Sequence, residues 1–157
     1  MPKNIVSQNH WQHYFDDLQY SSKDFYAKLK ALIEEYKFPN VTISVSKFSE
    51  GGMLSSKREY LTIRRGEYRF DVCAAPFGKS FFVSWWLTEL EGGCLLLLKR
   101  ILLPDGVLGN NMKKTFYQVD TETIFKASIH SLIVKIIDGI LPENGYRLPE
   151  NARTLPQ

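Results

Sequence analysis

The stretch FDVCAAPFGKSFFVSWWL, residues 70–87, holds one of the chain's two cysteines, two adjacent tryptophans and only two charged side chains. Pro76 and Gly78 mark a turn near its centre, so the stretch predicts two strands of an antiparallel hairpin. In the second strand, large apolar side chains alternate onto both faces, and Trp85 and Trp86 therefore point in opposite directions. Such a strand is either covered on both faces or carries an apolar patch on one of them.

Two further strands are predicted upstream of this hairpin. Residues 41–48 alternate between apolar and polar side chains, which indicates a half-buried strand. Residues 58–65 and residues 68–74 alternate in the same way on either side of Gly66. Glycine adopts positive φ freely, as a tight hairpin turn demands, so this segment predicts a second hairpin.

Two helices are predicted on either side of these strands. A start that resembles a capping box predicts a helix over residues 22–37. An apolar stripe at helical spacing predicts a second helix that begins at Asp120 or Thr121 and ends near Leu141. Residues 115–119 are predicted to form a last short strand before it.

This order of elements predicts an α+β fold, in which an N-terminal and a C-terminal helix pack on one face of an antiparallel β-meander of four to six strands. At 157 residues the chain is expected to form a single domain, 1–157. Its core is predicted to span about residues 22–141, and the N-terminal segment 1–20 and the C-terminal tail 142–157 are predicted to be peripheral.

Composition excludes several classes of function. The net charge is only +3, and acidic residues are interleaved with the basic ones around residues 57–71, so nucleic-acid binding is not expected. No segment reaches the ~18 apolar residues that cross a bilayer, and no secretory signal is recognisable at the start. Both cysteines lie in apolar surroundings, which favours reduced thiols in a cytoplasmic protein and leaves association with a membrane open.

A surplus of large apolar side chains around residues 81–103 is the first candidate site. Because the two indoles point to opposite faces, one of them is expected at the surface, where tryptophan is a frequent interface anchor. The leucine run at residues 94–103 carries two cations, a composition that also suits a lipid headgroup layer. The alternative is that this run is a buried strand with its cations at an edge.

These features predict a non-catalytic interaction or accessory module that binds a partner protein or a membrane-apposed surface. No cofactor is predicted, and a homo-oligomer stays open. The candidate binding residues are Trp85, Trp86, Phe82, Leu97, Lys99 and Arg100.

Cys73 is the candidate for a second class of function, a thiol-dependent enzyme. It is predicted on a strand beside Arg69, whose positive charge would favour a thiolate. The order of helices and strands is loosely similar to that of ubiquitin-conjugating-enzyme-like domains, at the level of fold alone. A nucleophile also needs a base, and His130 is expected at the margin of the second helix with its ring half in water. The simpler interpretation is a strand cysteine that packs as a small apolar side chain.

The N-terminal segment offers a weak metal site. If this segment is helical, His10, His13 and Asp17 share one face and could hold a divalent metal ion. The spacing is not that of an established metal motif, and chance easily produces it. The alternative is an amphipathic segment that docks on the domain through apolar side chains. Those side chains are Trp11, Phe15 and Leu18.

Three motifs together resemble a family of uncharacterised bacterial proteins. FDVCAAPFG at residues 70–78 matches a strand of the form FD-[IV]-CAAPFG, FVSWW at 82–86 matches F-[FV]-SWW, and DTETIF at 120–125 matches D-T-x-x-[MI]-F. The resemblance spans roughly residues 59–140 and implies a bacterial domain. Some relatives carry a longer apolar insert at the position of residues 94–103, which implies proximity to a membrane. The family has no established activity, so the resemblance implies no catalytic residues.

Overall fold

The computed structural model describes residues 7–48, 58–90, 114–142, 145 and 147–156. These residues form one antiparallel sheet of five strands together with three helices, the α+β architecture that the sequence predicts. The elements in chain order are β1 (Ser7–Phe15), α1 (Ser22–Glu35), β2 (Val41–Phe48), β3 (Arg58–Arg65), β4 (Tyr68–Phe77), β5 (Ser80–Glu89), α2 (Phe116–Ile140) and α3 (Glu150–Arg153).

The strands lie side by side in the order β1-β5-β4-β3-β2, and every neighbouring pair is antiparallel. Strands β2 to β5 form the predicted meander. Gly66 has the expected positive φ, 58°, in the turn between β3 and β4. The N-terminal strand β1 pairs with β5, so β1 occupies one edge of the sheet and β2 the other.

The described helices pack against one face of the sheet, which we call the near face; the opposite face is the far face. Phe25 of α1 lies 6.0 Å from Phe81 between ring centroids, and Phe125 of α2 lies 5.4 Å from Phe70. Burying an aromatic or aliphatic side chain of this size contributes roughly 1.5–3 kcal/mol. The near face therefore carries the core. No helix among the described residues is long and apolar enough to cross a membrane.

Helix α2 begins earlier than the sequence predicts. Thr115 Oγ1 accepts a hydrogen bond from the backbone N–H of Gln118 at 3.3 Å, and Gln118 Oε1 accepts one from the backbone N–H of Thr115 at 2.9 Å. These two bonds form a capping box and satisfy orphan donors at the helix start. The predicted cap at Asp120 or Thr121 and the predicted strand at 115–119 are therefore wrong, since residues 116–119 are the first turn of the helix.

The N-terminal segment forms a strand and contributes to the core. Trp11, Phe15 and Leu18 are buried on the near face, as the docking alternative expects. The indole Nε1 of Trp11 donates a hydrogen bond to the backbone oxygen of Ala152 in α3, at 3.0 Å. Buried side chains therefore extend beyond residues 22–141 at both ends of the chain. The predicted metal site required a helix over His10, His13 and Asp17, but residues 7–15 form a strand.

Candidate functional site

The two adjacent tryptophans of β5 lie on opposite faces of the sheet. Trp85 is completely buried on the near face, whereas Trp86 lies on the far face and is 39% exposed. The register fixes this difference, because Trp85 is opposite Val72 of β4 and Trp86 is opposite Asp71. The expectation that one indole reaches the surface is confirmed for Trp86. Trp85 belongs to the core and is out of reach of a partner.

His130 of α2 holds Trp85 in place. The indole Nε1 of Trp85 donates to His130 Nδ1 at 3.1 Å, and His130 Nε2 lies 3.0 Å from the backbone oxygen of Arg153. Because Nδ1 accepts, the ring carries its proton on Nε2 and donates it to that oxygen. The expected position half in water is wrong, since His130 is 3% exposed. Burial lowers the pKa of the His130 ring, which thus serves as a neutral link between β5, α2 and α3.

The buried His130 makes stability depend on pH. Burial holds its pKa below the ordinary value of 6.5, so the unfolded chain binds a proton that the folded protein excludes. We expect this contribution to the free energy of unfolding to be fully present above pH 6.5 and to be lost as the pH falls toward the lowered pKa. Urea unfolding at about pH 7.5 and about pH 5.5 should show the loss.

The variant His130→Gln isolates this effect, since glutamine keeps an acceptor for Trp85 but does not titrate. Between the two pH values it should lose less stability than the natural protein. An equal loss in both proteins would show that other groups carry the pH dependence.

On the far face, aromatic side chains of β1 and β5 form two opposed pairs, which the Gln12–Ser84 pair separates. His10 stacks on Trp86 with ring centroids 3.8 Å apart and an interplanar angle of 26°. Tyr14, 46% exposed, is opposite the partly buried Phe82 in the register of the two strands. We call these four residues the aromatic strip. Burial lowers the pKa of His10, so its ring is neutral near pH 7.

A polar network lies beside the aromatic strip and crosses β4, β3 and β2. Arg69 donates from Nε and Nη2 to Asp71 Oδ1 at 3.0 and 2.9 Å. Thr62 Oγ1 donates to the same oxygen at 2.6 Å, and Ser46 Oγ lies 2.9 Å from Thr62 Oγ1. Asp71 is also opposite Trp86. The Asp71 carboxylate is thus fully engaged within the protein, and the network forms a fixed polar border to the strip.

Cys73 lies on the far face but is only 1% exposed, opposite Ser84 of β5. Burial raises the pKa of its thiol, and the positive charge of Arg58 offsets only part of this effect. A reactive cysteine needs the opposite, a lowered pKa and access to solvent. His130 lies on the other side of the sheet and cannot serve as its base. The geometry therefore favours the interpretation of Cys73 as a packed apolar side chain.

The three metal candidates do not converge. His10 lies on the far face, whereas the ring of His13 contacts Phe15 on the near face, with centroids 4.7 Å apart. Asp17 lies in the turn after β1, where its φ is 55°. Within the part of the chain that the structure describes, no group of three His, Cys, Asp or Glu side chains could hold a metal ion.

Half of the predicted binding residues fall outside the described residues, namely Leu97, Lys99 and Arg100. The predicted patch at 81–103 is thus described only up to residue 90. Sequence reasoning missed His10 and Tyr14 as members of the far-face surface. The signal that could have found them is the alternation in residues 10–15, where His10, Gln12 and Tyr14 share one face of a strand.

We compared the chain with protein-family models, curated proteins and solved structures, and none of them matched. The resemblance to a bacterial family stays a prediction.

Proposed function

We propose that the protein is a non-catalytic interaction module that docks a partner protein on the far face of its sheet. The observation that carries the proposal is Trp86, an exposed indole stacked on His10 beside a fixed polar border. The described helices all lie on the near face, so none of them covers Trp86 or Tyr14. A large aromatic side chain that is exposed on a sheet face is a typical interface anchor.

Two properties of the aromatic strip lower the free-energy cost of binding a partner. Stacking against His10 holds the Trp86 ring in one orientation, so less side-chain entropy is lost when a partner covers it. The lowered pKa of His10 keeps that ring neutral near pH 7, so covering it removes no charge from water. Tyr14 and Phe82 extend the same surface along the two strands.

The chemistry of the far face favours a protein over a lipid surface. Aromatic anchors bordered by hydrogen-bonding groups are typical of protein interfaces. A segment that lies in a lipid headgroup layer instead combines a broad apolar face with lysines and arginines. Beside the aromatic strip the structure has hydroxyls and the internally paired Arg69–Asp71, whose side chains are only 11% and 13% exposed.

Site-specific photocrosslinking in cells tests the proposal. A photoreactive benzoylphenylalanine at Tyr14 should yield a discrete protein adduct. The same group at Ile124, which is 61% exposed on α2, should not. Adding Trp86→Ala to the Tyr14 probe should reduce the adduct at least about tenfold, because an anchor tryptophan contributes 2 kcal/mol or more. Cys73→Ser should leave the adduct unchanged.

Three results would overturn the proposal. The first is crosslinking that is equal at the two probe positions or insensitive to Trp86→Ala. The second comes from flotation with phosphatidylcholine–phosphatidylserine vesicles. Trp86-dependent binding to vesicles without a protein adduct would assign the far face to a lipid surface. An adduct that depends on Cys73 and not on Trp86 would favour a thiol enzyme instead.

A further inference from the structure

Strand β2 is an open edge of the sheet. It pairs with β3 over all eight residues in continuous register, and no strand among the described residues lies beyond it. In an antiparallel ladder, every second residue of an edge strand directs its N–H and C=O groups outward. Natural proteins block such edges with prolines, bulges or charges. β2 has neither a proline nor a bulge, whereas β1 has a register shift between Ser7 and Asn9. The one charged residue of β2, Lys47, is paired with Glu59 of its own copy.

The sequence of β2 is nearly palindromic about its third residue. Val41 and Val45 lie two positions on either side of Ile43, and Thr42 and Ser44 lie one position on either side. A two-fold axis through Ile43 would therefore place Val41 opposite Val45, Ile43 opposite itself and Thr42 opposite Ser44. Aliphatic side chains would meet on the near face and hydroxyls on the far face, two favourable kinds of cross-strand pair.

We infer that the β2 edge binds a second copy of this chain and that the two sheets join into one ten-stranded sheet about a two-fold axis. The exposure of the strand fits this arrangement. Val45 is 57% exposed although it lies on the core-facing side, and Val41 and Ile43 are only partly buried. A second β2 would cover the aliphatic row that the helices of one copy leave open.

The groove beside β2 also suits a second copy. It has a volume of about 280 Å³ between α1 and β2, with Ile33 and Phe38 among its apolar lining. The charged residues of its lining are Lys30, Glu34 and Lys37, of which Lys30 and Glu34 approach to 3.9 Å. Because this lining carries both signs of charge, two copies that approach along it do not meet with charges of a single sign.

Lys47, the charged residue of β2, favours one register for the pairing of the two β2 strands. Opposite residues of two antiparallel strands point to the same face of a sheet. The two-fold axis therefore passes through a residue rather than between two, because only then do near-face side chains of the two copies lie opposite each other. An axis through Ser44 would place Lys47 opposite Val41, and an axis through Val45 would place it opposite Ile43. Lys47 instead pairs with Glu59 of β3 at 2.8 Å. With the axis through Ile43, residues 41–45 of the two copies pair with each other. Lys47 lies beyond this contact, so its ion pair with Glu59 is retained.

Sedimentation velocity over a concentration series up to about 0.5 mM tests the inference. The natural protein should form dimers. Val45→Lys should weaken self-association at least about tenfold, because it places a charge against Val41 of the other copy. Val119→Lys is the matched control, since Val119 is 45% exposed on α2, and it should dimerise as the natural protein does. A monomer throughout the series, or equal behaviour of the two variants, would overturn the inference.

Disulfide trapping tests the register in a background that carries Cys73→Ser and Cys94→Ser. The axis places the two Ile43 Cα atoms roughly 4.5–5.5 Å apart, within the range that a disulfide spans. Ile43→Cys should therefore form a covalent dimer on mild oxidation. Val45→Cys lies about 13 Å from its own copy and should not. Efficient trapping at residue 45, or none at 43, would contradict the arrangement. Trp86→Ala should leave dimerisation unchanged, because the inference does not rest on the proposed function.

Discussion

Trp85→Ala is expected to lower the free energy of unfolding by about 3–5 kcal/mol, the loss typical of a large buried aromatic side chain. Trp85 is fully buried and lies 4.9 Å from Phe70 between ring centroids. Its removal also leaves His130 Nδ1 without its donor in the core. The same change at the neighbouring Trp86 should cost only about 1–2 kcal/mol, because that indole is 39% exposed and lies outside the core. Urea unfolding at neutral pH measures both values.

Trp85→Phe separates packing from the hydrogen bond. Phenylalanine retains an aromatic ring on the near face but cannot donate to His130, so this variant should lose about 1–3 kcal/mol. A similar loss for alanine at Trp85 and at Trp86 would mean that both indoles are buried. That result would remove the basis of the proposed docking surface.

Removal of residues 150–157 is expected to destabilise the fold by about 3–5 kcal/mol, since each buried donor left unpaired costs about 1–3 kcal/mol. Two backbone oxygens of α3 accept from the core, that of Ala152 from Trp11 Nε1 and that of Arg153 from His130 Nε2. The truncation deletes both acceptors and also removes the buried Ala152 from the core. Denaturant unfolding of the truncated and full chains gives the difference.

Arg153→Gln is the control for this truncation. Arg153 donates to the Asp138 carboxylate at 2.6 and 2.8 Å, and the substitution removes this ion pair while the backbone acceptors stay. Both side chains are about one-third exposed, so the loss should be at most about 1 kcal/mol. If the substitution costs as much as the truncation, the ion pair rather than the buried donors ties α3 to the domain. If neither has an effect, α3 does not stabilise the core.

The sequence predicts local structure correctly where a segment shows only one hydrophobic periodicity, that of a strand or that of a helix. The alternation in residues 80–87 predicts the opposite faces of Trp85 and Trp86. Ser21 caps α1 as its position before the apolar stripe suggests, accepting from the backbone N–H of Asp24 at 3.3 Å. These features depend only on residues close in the sequence, so the sequence alone can predict them.

The N-terminal strand shows where local patterns fail. Trp11 and Phe15 are four residues apart, a spacing that is close to one helical turn and also equals two strand periods. Both structures would place the two side chains on one face. What decides between them is the open edge of β5, which lies some seventy residues away in the sequence and offers hydrogen-bond partners for a strand.

The candidate site is predictable only in part for the same reason. The exposure of Trp86 follows from alternation, but its stack on His10 exists only because β1 pairs with β5. The buried position of His130 likewise depends on acceptors and donors in β5 and α3. Such contacts between distant segments leave no periodic signal in either segment.

Hydrogen exchange of the three indole N–H groups, followed by NMR in heavy water, tests most directly whether Trp86 is exposed on the far face. Trp11 and Trp85 donate to Ala152 and His130 in the core, so their Nε1 protons should exchange slowly. The Nε1 proton of Trp86, assigned with Trp86→Phe, should exchange within the dead time of the experiment. Protection at Trp86 comparable to that at Trp85 would show that the far face is covered and would contradict the account.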